Sequence, residues 1–98
     1  MFCYKLHKVK AEDYESVLGI CDKELSGKEL RKDPSFKVEK KFYGEDECDE
    51  EEAVSLLRQC TIANLVGREI IKLAIERNFI IRENIIFIGD VPHAQIIK

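Results

Sequence analysis

Hydrophobic and polar positions alternate at the start of the chain. From Phe2 to Val9, Phe2, Tyr4 and Leu6 fall on one side and Cys3, Lys5 and His7 on the other, which is the period-two pattern of a half-buried strand. A polar connection over residues 10–15 leads to Ser16-Val-Leu-Gly-Ile-Cys21, a second strand and the natural hairpin partner of the first. Gly19 within it marks a bulge or a place where another backbone comes close. Asp22 is a good N-cap for a helical turn in residues 22–30, limited by Gly27. Asp33-Pro34 marks a turn. Alternation returns over Phe36–Tyr43, with Phe36, Val38 and Phe42 on one face and Lys37, Glu39, Lys41 and Tyr43 on the other. This predicts a third strand, ended by Gly44.

The period then changes. Ala53, Leu56, Leu57, Cys60, Ala63, Gly67, Ile70, Ile71 and Ala74 recur at spacings of three and four, the signature of one helix face. Asp49 with Glu52 fits a capping box, with aspartate in place of Ser/Thr. A straight helix over residues 49–77 would run roughly 40 Å, longer than the ~30–35 Å expected for a domain of this size. The pattern therefore predicts one kinked helix or two consecutive helices, broken within 60–67, where β-branched residues, Asn64 and Gly67 weaken helix formation. Asn78 is placed to end the second segment as a C-cap. Ile85-Ile-Phe-Ile88 is too apolar for a half-exposed strand and reads as an interior one, and residues 93–97 as a short final extended segment. The expected architecture is a single α+β domain over residues 1–98, a mixed or antiparallel sheet of about four to five strands packed on the helical segment.

Charge narrows the function classes. The net charge is −3. Residues 1–43 carry ten Lys/Arg against eight Asp/Glu, and residues 44–98 carry six against eleven. An overall basic balance, usual for a strongly nucleic-acid-binding domain, is absent. Cys3, Cys21, Cys48 and Cys60 show no C-x-x-C spacing, so neither a zinc ribbon nor a thioredoxin motif is present. Met1 leads straight into a strand-like segment rather than a signal peptide, and free thiols fit a cytoplasmic location. No apolar run approaches ~18 residues, which excludes a spanning helix, and no membrane partner is expected.

The most informative chemistry lies in Gly89-Asp-Val-Pro-His-Ala-Gln95. Gly89 permits a backbone conformation closed to other residues and Pro92 fixes φ. Together they make a structural turn that would deliver His93 at the end of a buried strand. Asp90 would orient its imidazole by accepting the second N–H, making the pair a candidate acid–base site; a plain turn with a capping histidine is the alternative. Cys60, Ala63, Asn64 and Gly67 form a strip of small or polar residues on the helical face, where Asn64 would bond the 89–93 backbone or a ligand beside His93. The acidic run Glu45–Glu52 suits a helix start, and its carboxylates make Cys48 a poor nucleophile. Lys5 and His7 would share a sheet face with Lys37, Lys41 and Tyr43, a basic surface able to meet single-stranded RNA. Cys3, His7, Cys21 and His93 match no strong zinc pattern, and no phosphate loop, dinucleotide fingerprint or nucleophile elbow exists. Neither a metal nor a cofactor is expected.

Asn64-Leu-Val-Gly67, the apolar segment after it, and Ile85-Ile-Phe-Ile-Gly-Asp-Val-Pro-His-Ala-Gln95 resemble an archaeal family labelled domain of unknown function four hundred twenty-four. Met1-Phe-Cys-Tyr-Lys-Leu-His7 and Cys21-Asp-Lys-Glu-Leu-Ser-Gly-Lys28 resemble it too, so the likeness covers nearly the whole chain, with Pro92-His-Ala-Gln95 its most specific piece. The resemblance implies a cytoplasmic archaeal α+β protein and no particular activity. It places signature positions on Asn64, Gly67, Gly89, Pro92, His93 and Gln95, and tilts the expectation toward a translation- or RNA-linked role.

The first expectation is a binding module using Asn64, Gly67, His93 and Gln95, with Lys5 and Lys41, to engage RNA or a protein. An enzyme with His93 as general acid or base is the second, and a structural subunit whose Ile-rich end supplies a dimer edge is the third.

Overall fold

The expected hairpin forms. In the computed structural model, which describes residues 1–8 and 15–98, β1 (Phe2–Lys8) and β2 (Ser16–Asp22) pair antiparallel, Phe2 opposite Asp22 and Lys8 opposite Ser16. All but the last residue of the predicted polar connection lies outside the described residues. β5 (Asp46–Cys48) adds to the free side of β1. β6 (Ile62–Val66) joins β2 in parallel. β8 (Val91–Ile97) and β7 (Ile86–Ile88) extend the sheet antiparallel beyond β6. The result is a six-stranded mixed sheet in the order β5-β1-β2-β6-β8-β7, an α+β fold with more strands than the sequence suggests.

Two helices cover one face. α2 (Glu50–Gln59) and α3 (Arg68–Glu76) bury Ala53, Leu57, Ile70 and Ala74 against Leu18, Ile20, Leu65 and Ile96 of the sheet. The Asp49 cap is real: its Oδ1 accepts from the Glu52 N–H at 2.9 Å. The predicted run of helix over 49–77 is corrected in its middle, because residues 62–66 are a strand between two helices. β6 lies between β2 and β8, with Ala63 and Leu65 buried under the helices and Val66 buried on the other face, while Ile62 and Asn64 stay half-buried, so its apolar residues do not alternate cleanly. Cys60 ends α2, Gly67 begins α3 and Ala63 faces the helices from the strand between them, so the three fit a helical spacing without sharing a helix.

The other face is partly covered. β3 (Glu29–Lys32) and β4 (Ser35–Lys37) form a separate two-stranded sheet around the cis Asp33–Pro34 turn, followed by the single-turn α1 (Lys40–Tyr43). Val38 and Tyr43 from this cover are buried with Cys3, Cys21 and Val66. The third strand expected over Phe36–Tyr43 is therefore divided, and none of it joins β1's sheet. β7 also differs from expectation: it is an edge strand with Ile86 and Phe87 exposed. Among the described residues no helix is long and apolar enough to cross a membrane.

Candidate functional site

Strand register decides which of the sequence's candidate residues meet. Lys5 stands opposite Gly19, Gly19 beside Asn64, and Asn64 opposite Gln95. Side chains alternate across a strand. Ala63 and Leu65 face the helices, so Asn64 points the other way, with Gln95, Lys5 and Gly19 in one row across four strands. Asn64 is half-buried and Gln95 exposed. Neither side-chain amide bonds to another described residue.

Gly19 fulfils its close-approach reading. A Cβ there would collide with the Phe42 carbonyl and come within 2.9 Å of its ring. α1 thus lies directly on β2. His7 Nε2 donates to the Phe42 carbonyl at 2.9 Å and its ring stacks on Phe42 at 5.1 Å. Phe42 consequently separates Lys5 from Asn64 and Gln95. Lys41 is exposed on α1, Lys37 is exposed on β4, and Tyr43 is buried. The basic sheet face expected from Lys5, His7, Lys37, Lys41 and Tyr43 does not assemble, because residues 36–43 are not a strand of that sheet.

His93 sits one row along, within β8 rather than at the exit of a turn. It pairs with Val66 on one side and Ile86 on the other. The turn is only Gly89-Asp90, between Ile88 and Val91. Gly89 has φ +63°, as the first position of a type II′ turn requires. The half-buried His93 ring meets Phe36 edge-on at 6.2 Å, and its Nδ1 is buried without a hydrogen-bond partner. Burial holds the imidazole below its usual range near 6.5. Asp90 does not orient it: Asp90 is exposed in the turn, and its bonded group is its carbonyl, which accepts from Arg68 Nη2 at 3.3 Å. The acid–base pair read from the sequence is therefore not formed.

Gly67 and Pro92 serve the backbone. Gly67 has φ +128° and ψ 153°, a conformation reserved for glycine, and its N–H donates to the Pro92 carbonyl at 3.0 Å. The space a Gly67 side chain would need holds the Asp22 carboxylate. Asp22 Oδ2 and Oδ1 accept from the Glu69 and Ile70 N–H groups at 3.0 and 2.9 Å. Asp22 thus caps α3 from across the sheet instead of capping a turn of its own. Burial pushes its carboxyl up, and the two N–H bonds pull against that shift. Its partners lie far along the chain, so no local spacing could have pointed to this role.

The cysteines read as interior residues. Cys3 faces Cys21 across the hairpin, and burial pushes the Cys21 thiol up to about 12. Cys48 is fully buried; burial first, then Glu52 and Asp49, raise its thiol to about 11. Val66 intervenes between Cys21 and His93, and among the described residues no three His, Cys, Asp or Glu side chains gather as a metal site needs.

No curated protein matches the sequence. The fold is similar to the crystal structure of an uncharacterized conserved protein from Methanopyrus kandleri, at 19% identity and a TM-score of 0.79, over 99% of this chain and 93% of that one. At that identity the likeness concerns the fold alone. The model of a family described as "Protein of unknown function (DUF424)" matches residues 9–98, from the end of β1 through β8, and the chain belongs to that family.

Proposed function

We propose that this protein is a partner-binding module whose recognition surface is the uncovered half of the sheet, centred on Asn64 and Gln95. The observation that carries the reading is the opposed amide pair in the middle of the sheet, unpartnered among the described residues. Asparagine is disfavoured in strands, and Asn64 recovers none of that cost through a side-chain bond to another described residue. A paired carboxamide offers donors and acceptors side by side, the equipment for reading an extended chain or the edge of a planar polar group. Ile62, half-buried, and Ile97, 71% exposed, flank the pair in the next row and add apolar contact.

A protein partner suits this surface better than RNA. Nucleic-acid affinity comes largely from phosphate neutralisation, and Lys5 and Lys41 do not converge here: Phe42 screens the first, and the second lies on α1. Asn64→Val with Gln95→Val is the test. The pair should melt no lower than wild type, with Asn64→Val gaining up to about 1 kcal/mol, yet should lose a partner that wild type captures from archaeal lysate after nuclease treatment. A loss of stability on substitution would make the amides structural and sink the proposal. Capture abolished by nuclease would replace the protein partner with RNA.

A further inference from the structure

The two edges of the sheet are built differently. β5, at one end, carries Asp46 and Glu47, both exposed. Charges of that kind are how natural sheets discourage unwanted pairing. β7, at the other end, reads Ile86-Phe-Ile88, with no charge and no proline; Ile86 is 59% exposed and Phe87 66%. An unprotected apolar edge is an invitation to pair.

Its backbone is available for pairing. Ile88 and Val91 close the two-residue turn, and residues closing such a turn exchange both ladder bonds. By alternation Ile86 bonds His93, and the N–H and C=O of Phe87 turn away from β8. Pro92 stands opposite Phe87 and has no N–H to give, which agrees.

Beside this edge, on the helix-covered face, lies an open groove of about 690 Å³. Ile71 and Ile75 of α3 form one wall, Phe87 and Pro92 the floor. The rim carries Arg68, Lys72 and Arg82 against a single acid, Glu76. None of the three cations joins an ion pair among the described residues. In a chain of net charge −3, this is a local reversal of sign.

We infer that β7 and this groove form a docking site for an extended acidic peptide of a protein partner, which adds as a seventh strand on the Phe87 edge. Its backbone bonds the outward N–H and C=O of Phe87. An apolar side chain fills the groove over Ile71 and Pro92, and flanking carboxylates meet Lys72 and Arg82. A symmetric β7–β7 pairing of two copies would bring two cationic rims together, so a second copy is the poorer occupant. The apolar floor suits an aliphatic side chain better than sugar and phosphate. The site lies on the opposite face from Asn64 and Gln95 at the sheet's end, and stands or falls separately from that surface.

The test is amide-resolved NMR on the 15N-labelled chain, with a short synthetic peptide of alternating glutamate and valine as the probe. Shifts are expected at residues 85–88 and at Lys72 and Arg82, with the Phe87 amide exchanging about tenfold more slowly when the peptide is bound. Lys72→Glu with Arg82→Glu should leave the spectrum folded and weaken binding by about tenfold or more. A lysine–valine peptide and a backbone N-methylated acidic peptide should both bind poorly. No shifts at β7, equal binding by the lysine peptide, or no effect of N-methylation would each overturn the inference. So would displacement of the peptide by a short uridine oligonucleotide, which would assign the cations to RNA.

Discussion

Asp22 and Gly67 act as one device, and a double-mutant cycle exposes it. Asp22→Ala removes acceptors for the Glu69 and Ile70 N–H groups. Losing an N-cap costs about 0.5–2 kcal/mol. The Ile70 N–H is buried, and leaving such a group unsatisfied adds about 1–3 kcal/mol. A loss of about 2–4 kcal/mol is expected, or roughly 10–25 °C in melting temperature for a chain of this length. Gly67→Ala should cost as much or more. It strains a backbone held at φ +128° by about 1–3 kcal/mol. Its Cβ would also sit within 2.5 Å of Asp22 Oδ2, expelling the carboxylate and destroying the same cap. In the double variant the cap is lost only once and the collision is gone. The double variant should therefore be no less stable than Gly67→Ala alone, a coupling as large as the Asp22→Ala loss itself, about 2–4 kcal/mol. Urea unfolding followed by circular dichroism measures it, the chain having no tryptophan. Effects that add to within about 0.5 kcal/mol would refute the reasoning, because Gly67 would then be needed for its backbone alone.

Three further outcomes follow from the same geometry. Gly19→Ala should cost about 1–3 kcal/mol in a thermal melt, since its Cβ meets the Phe42 backbone and α1 must lift. Lys98 Nζ donates to the Leu57 and Arg58 carbonyls at 2.6 and 3.0 Å, capping the end of α2; Lys98→Ala should lower stability by about 0.5–1 kcal/mol, and no change on urea unfolding would count against the cap. His93 and Asp22 should tilt the pH profile in opposite directions. The native imidazole is held below 6.5, so the unfolded state takes up a proton first and stability falls as pH drops beneath 6.5. The native Asp22 carboxyl is held above 3.8, so its contribution falls as pH rises from 3.8 through the native value. His93→Phe should remove the first slope and Asp22→Asn the second, read from urea midpoints across pH; slopes that survive both substitutions would place the titrations elsewhere.

Local rules read well where the stabilising partner is local. The β1–β2 hairpin follows from alternation, and the Asp49 cap from a spacing of three residues. β6 escaped because Ile62, Leu65 and Val66 put apolar residues on both its faces, and Ala63, between Cys60 at the end of α2 and Gly67 at the start of α3, continues a helical spacing. Phe36–Tyr43 alternates as a strand would, yet Val38 and Tyr43 are buried by docking on the sheet from outside, with α1 intervening. Ile85–Ile88 has the apolar content of an interior strand, yet β7 lies at the sheet edge and keeps much of that surface in water. The candidate surface was legible in part: Asn64 and Gln95 were singled out, and the structure sets them opposite each other on strands. His93 was singled out as well, but as the product of a turn beside Asp90, and pairing across three strands placed it elsewhere.

The sheet is assembled from two contiguous halves of the chain. β1, β2 and β5 come from residues 2–48 and β6, β7 and β8 from residues 62–97, and the parallel β2–β6 ladder is the seam between them. Side chains fasten both ends of that seam: Asp22 holds α3 at one, and at the other Thr61 Oγ1 bonds both the N–H and the carbonyl of Ser16. Each half can form its antiparallel pairs early, but the seam requires closing a long loop before any contact rewards it. We expect the seam to set the folding rate. Leu65→Ala should slow refolding in a chevron experiment, while a comparable truncation at Ile88 should mainly speed unfolding; equal effects on the two arms would show that the halves do not form separately.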